Sequence, residues 1–263
     1  MCIRDSDGSP GRTTEVLSGD FYTQLSTSTP HQIWSSAMVI SPILRGMMGL
    51  EVNALKNVVT FAPHVPAGWS DFAIRHVQVG SAQLDLVYHA VGDDITLEVT
   101  RRGSGSVTLA FSPALSLRAK VLTAEINGAK VSPKLDANDL DQHATVIEPL
   151  TAERNTIHLR VSDNFAIGYP YTPPADGAAN SNLKIVSEEW NPSHDELQLH
   201  LEGISGMNYE LPIFNMPAPI ESHGALIEER PSGKVLLIQF RKGPPDTYIP
   251  LILTLKFPSN HGQ

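Results

Sequence analysis

Apolar side chains at every second position constrain this chain more than any other feature of it. Ala82, Leu84, Leu86 and Tyr88 fall on one face of an extended segment, and Ile95, Leu97 and Val99 repeat the arrangement. So do Val107, Leu109 and Phe111, and again Ile157, Leu159 and Val161. A period of two places these side chains on one side of a pleated strand, which must then be covered by a second apolar sheet. Asn127-Gly128 tolerates positive φ at both residues and marks a hairpin turn, and RRGSGS at 101–106 reads as a turn between strands. Short strands at this spacing predict a β-sandwich over 59–168.

A second β-set follows. YPYTPPADGAANSN, residues 169–182, reads as a linker, and residues 183–263 as a second β-unit. Leu183 and Ile185 open it, and Leu197, Leu199 and Leu201 alternate with Gln198, His200 and Glu202. VLLIQF at 235–240 and LILTLKF at 251–257 are dense enough for strands buried on both faces. The pattern leaves open whether this set closes its own sandwich or adds strands to the first. The expected class is mainly β, with one or two β-sandwich-like units preceded by a terminal helix.

That helix is the exception to the alternation. Thr29-Pro30 is a cap followed by a proline suited to a first helical turn. Ile33, Ala37, Ile40, Leu44 and Met47 then recur at helical spacing and form one apolar stripe. Ser41-Pro42 is expected to kink or restart the helix, and Gly46 and Gly49 to pack closely or fray near its end. VTFAPHVPAGW, residues 59–69, reads as a Pro-rich crossing segment.

Composition narrows the function classes. Hydrophobic residues make up 41% and charged residues 18% of 263, a globular balance with length for two cores. The formal net charge of −9, with scattered Lys and Arg, argues against a nucleic-acid partner. No apolar run approaches the roughly 20 residues of a membrane-spanning helix, so no membrane partner is expected. There is no HxxxH or HExxH spacing, no GxSxG elbow and no Gly-rich phosphate loop, so neither a metal nor a cofactor is expected. MCIRDS, residues 1–6, resembles a translated sequencing-adaptor scar of the kind found at the edges of assembled environmental sequence. The expectation is that the native N-terminus lies upstream. Cys2, the single cysteine, sits in that stretch, so the remainder offers neither a disulfide nor a thiolate metal site.

Four short segments carry a family resemblance: EVLSGDFY at 15–22, PHQIWSSAMV at 30–39, LRGMMGLE at 44–51 and FAPHVPAGW at 61–69. In this order they resemble the C-terminal end of the six-hairpin glycosidases, (α/α)₆-barrel enzymes of the glycogen-debranching (amylo-1,6-glucosidase) type. The resemblance implies that residues 7–58 are the remnant of a catalytic barrel and that the β-units are appended to it. LKIVSEEWNPSHDELQLHLEGISGMNYEL, residues 183–211, looks like the final strands of such extensions.

Glycoside hydrolysis needs a carboxylic acid to protonate the leaving oxygen. In the inverting mode it also needs a second carboxylate to activate water, about 6.5–9.5 Å from the first. By resemblance Glu15 stands where the base belongs, with Asp20 as its competitor, and the general acid is expected upstream. Asp20 has an alternative reading as a side-chain cap of a turn. His31, Gln32 and Trp34 begin the helix where a pocket rim would lie, and are the candidate contacts to an oligosaccharide or polysaccharide substrate. Trp34 has a rival reading as a buried core residue. His76, His89, His158 and His200 alternate with apolar residues and are expected to face solvent.

Two readings of function follow. The first is the C-terminal fragment of a glycoside hydrolase acting on α-glucosidic or related bonds, inactive as an isolated chain. The second is a non-catalytic carbohydrate-binding or structural β-sandwich protein, for which an exposed aromatic strip would be diagnostic. Trp34, Trp69 and Trp190 are spread along the sequence, which weighs against such a strip.

Overall fold

The structure is a computed structural model that describes residues 16–29, 33–215, 221–231 and 233–258. The alternating runs pair into four sheets, and the sheets face each other two by two. In the first, the strand order is Leu50–Asn53, Val58–Phe61, Thr108–Phe111, Gln142–Pro149 and Lys134–Ala137, with Ala114–Leu115 also joined to Gln142–Pro149. Only the contact between Val58–Phe61 and Thr108–Phe111 is parallel in this sheet. The facing sheet runs Asp71–Val79, Ala82–Val91, Asp94–Gly103, Arg154–Ser162, Lys120–Ile126 and Ala129–Lys130, antiparallel throughout. Phe61, Leu84, Leu97, Leu109, Phe111 and Leu159 are fully buried between the two. Asn127 and Gly128 both have positive φ, at 51° and 80°, as the predicted hairpin requires.

The second β-set closes its own sandwich. Ala166–Ile167, Asn208–Phe214, Gly233–Gln239 and Leu226–Arg230 form one sheet; Lys184–Trp190, Glu196–Ile204, Tyr248–Lys256 and Glu221–His223 form the other. Leu197, Leu199, Leu201, Leu211, Leu236 and Leu253 fill the core between them. LILTLKF is buried on one face rather than two: Leu253, Leu255 and Phe257 point inward while Ile252 is exposed. Its strand is interior to the sheet, yet Ile252 on its outer face stays in solvent.

Three boundaries differ from the sequence reading. Leu50–Asn53 pairs with Val58–Phe61, so the first sandwich begins ahead of residue 59. The crossing segment therefore starts at Ala62. The stretch 169–182 is strapped down rather than free. The Tyr209 hydroxyl bonds Ser181 O at 2.9 Å, Tyr248 lies between Asn180 O at 3.0 Å and Asn182 O at 2.9 Å, and Tyr169 donates to Leu183 O. The N-terminal loop also docks here, through a Phe21–Ala179 bridge and a 2.9 Å bond from Tyr22 N to Ala178 O.

The α-helix spans Ile33–Ser41 and passes at Pro42 into a π-helical turn, Pro42–Met47. Pro42 has no N–H for the preceding turn, and the ladder resumes with Met48 N donating to Ile43 O at 2.8 Å. Gly49 ends it at φ 56°, where a Cβ would stand 2.2 Å from Ala62 O; no other residue fits.

One buried cation joins the sandwiches. Arg118, only 2% exposed, leaves the first unit and donates to His194 O and, at 3.0 Å, to Pro258 O in the second. Its guanidinium lies 4.6 Å from the centre of the Phe257 ring. Burial lowers its pKa, opposed by Asp163 and Asp195. Removing it strands two carbonyls at a buried junction. Arg118→Ala is expected to cost about 3 kcal/mol and to split urea unfolding into two transitions, one per core. A single transition at the parent's midpoint would show that the clamp is dispensable.

Candidate functional site

The crossing segment and the clamp together shape a cleft between the sandwiches, of about 830 Å³. Backbone bonds hold the segment at both ends: His64 N to Met47 O at 2.8 Å, Ala114 N to Pro63 O at 3.0 Å, and Ala90 N to Ser70 O at 2.7 Å. Between these anchors a turn closed by Trp69 N on Pro66 O, at 2.8 Å, presents Trp69, whose side chain remains 45% exposed. The opposite wall comes from the second sandwich, through Glu188, Trp190 and Phe214. Phe214 reaches across to the crossing segment, where a Cβ at Gly68 would lie 3.7 Å from its ring.

Trp190 is positioned by the clamp. Its ring packs on Phe257 at 5.4 Å between centroids, on the stack that carries Arg118. Its Nε1 donates to Glu188 Oε1 at 3.0 Å. The hairpin loop after it is self-braced: Asn191 Oδ1 accepts from Asp195 N at 3.0 Å, and Asp195 Oδ1 accepts from Asn191 Nδ2 at 2.6 Å and Ser193 Oγ at 2.8 Å. These side-chain bonds hold the Asp195 carboxyl below its usual range. Burial against the cleft wall pushes Glu188 the other way, above the ordinary carboxylate range, and the Trp190 bond offsets part of that. The residue as a whole remains exposed. Tyr88, in the floor, is pushed up to about 12 by burial.

Asp141 stands at the other end, 3.4 Å from His64 Nδ1 and 3.8 Å from His143 Nε2, with Asn138 Nδ2 at 2.5 Å. Ser112, His143 and Asp141 bring together the residue types of a nucleophilic triad, but they are not wired as one. His143 Nδ1 donates to Ser112 O at 2.7 Å, and Ser112 Oγ is paired with Thr145 Oγ1 at 2.7 Å. A ring nitrogen that donates cannot accept the Ser112 proton. Among the described residues no group of three or more His, Cys, Asp or Glu is arranged to hold a metal ion.

Neither of the predicted site residues that the structure describes, Asp20 and Trp34, lines the cleft. Glu15, His31 and Gln32 fall outside the described residues. Asp20 is exposed, and the local turn is capped by Ser18 Oγ, which accepts from Asp20 N and Phe21 N at 3.2 Å each, rather than by the Asp20 side chain. Trp34 is 57% exposed, so it is not a core residue of the described chain. Of the histidines, His76 is exposed; His89, His158 and His200 are half-buried beside Asp71, Asp94 and Glu189. The sequence reading missed Glu188 and Asp141, and it took Trp69 and Trp190 as unrelated. Only their position at the ends of the crossing segment and of a strand hinted otherwise. No protein-family model matches this chain, and no curated protein matches it either.

An acid whose value is raised in the fold holds its proton more tightly there than in the unfolded chain. Its ionisation therefore costs stability as pH climbs out of the carboxylate range. Glu188→Gln is expected to melt with the parent near about pH 4 and above it near about pH 7. A gap in Tm that does not change between the two would show that the carboxyl is not its source.

Proposed function

We propose that this chain is the C-terminal part of a six-hairpin glycosidase acting on α-glucosidic or related bonds. Residues up to Met47 close its (α/α)₆ barrel, and the two sandwiches brace it. One observation carries the reading: the helix holds its apolar side chains in solvent, with Trp34 57%, Met38 66% and Ile40 60% exposed. A helix apolar around its circumference belongs inside a larger helical body, and concentrated exposed apolar surface marks a binding partner. The resemblance supplies that partner as the preceding barrel helices. At the far end of the stripe, Met47 packs on the first core.

On this reading Glu15 is the base that activates water, Asp20 its competitor, and the general acid comes from mid-barrel. His31, Gln32 and Trp34 contact the saccharide at the barrel mouth. The chemistry is acid–base hydrolysis and calls for no cofactor.

The upstream reading frame from the same source tests this. Several hundred further residues of helical hairpins with a mid-barrel carboxylate support the proposal; a stop codon just before residue 7 overturns it. The isolated chain is expected to release no sugar from an α-glucoside in a reducing-end assay, and turnover would contradict the missing acid. The chain is also expected to self-associate through its helix. Met38→Lys with Ile40→Lys should restore a monomer by light scattering while leaving Tm unchanged.

A further inference from the structure

We infer that the cleft between the sandwiches is a second saccharide site, separate from the barrel, that takes a neutral oligosaccharide between Trp69 and Trp190. The inference stands on the cleft itself; only the choice of an α-glucan as first probe rests on the glycosidase reading.

Three features of the cleft select the ligand class. Its volume, about 830 Å³, lies within the range of small-molecule sites. Its charged lining consists of Glu188, Asp141 and His64; no Lys or Arg lines it among the described residues, which disfavours phosphates and acidic sugars. Its polar and apolar groups alternate as a sugar's do. Pyranose C–H faces suit the indoles of Trp69 and Trp190, and hydroxyls suit carboxylate and amide oxygens. Glu188 Oε1 takes the Trp190 N–H, yet a carboxylate offers about four acceptor positions, so ligand hydroxyls can bond the same group.

The site is also preorganised. The contacts among Arg118, Phe257 and Trp190 support one indole, and a backbone bond closes the turn that carries the other. Rigid aromatic platforms lose little freedom on binding. Trp34 lies on the helix and does not line the cleft, whereas Trp69 and Trp190, far apart in the sequence, both do.

Isothermal titration of the full chain with maltoheptaose, cellopentaose and phenyltrimethylammonium tests the proposal. Saturable binding of maltoheptaose is expected, weakened about tenfold or more by Trp69→Ala. Glu188→Gln should weaken it too, and the Tm of both variants checks that they remain folded. Binding of cellopentaose alone would keep the saccharide site and discard the α-glucan preference. Binding of only the ammonium ion, no binding at all, or parent affinity in a folded Trp69→Ala would overturn it. The barrel proposal is untouched by any of these outcomes, since the upstream frame decides that.

Discussion

The structure depends on one buried cation. Each sandwich has its own core, and neither core crosses the junction between them. Arg118 does, with two carbonyls of the second unit as acceptors and the Phe257 ring beneath it. A buried guanidinium is costly unless its donors are met; backbone carbonyls meet Nη1 and Nη2, while the buried Nε has no partner among the described residues. Asn164 reinforces the same seam, accepting from Ser116 N at 2.9 Å through its side chain and from Asn215 Nδ2 at 3.2 Å through its backbone.

The clamp also decides the shape of the cleft. Phe257 contacts both Arg118 and Trp190, so the contact that joins the units also supports the indole on the cleft wall. The loop Asn191–Asp195 is tied into itself and offers His194 O to Arg118. Stability of the junction and geometry of the cleft are therefore one problem. The N-terminal segment stands in contrast. It is fastened at Met47 and Phe21, on either side of a helix whose Trp34, Met38 and Ile40 remain exposed.

One buried acid within the sheets has both its partners in place. Asp85 interrupts the alternation of its strand and is buried. It accepts from His76 N at 2.9 Å and pairs with Arg102 at 2.7 Å. These two partners, the backbone bond first, hold its carboxyl below the ordinary range. His76 can reach it because the strand bulges there, with φ at 60°.

The amino-acid sequence by itself determined the strands, because a period of two assigns faces without reference to partners. Leu84, Leu97, Leu109, Leu159 and Leu199 are buried where the alternation put them. It determined the Asn127-Gly128 hairpin and the break at Pro42, both properties of single residues. Only the tertiary structure decided that the second set closes its own sandwich, that Leu50–Asn53 belongs to the first, and that LILTLKF is covered on one face. Pairing and coverage depend on which strands meet, which no local pattern encodes. It also brought Trp69 and Trp190 to one cleft, through a cation whose two acceptors lie far along the chain. That long-range hydrogen bonding is what a residue-by-residue reading cannot see.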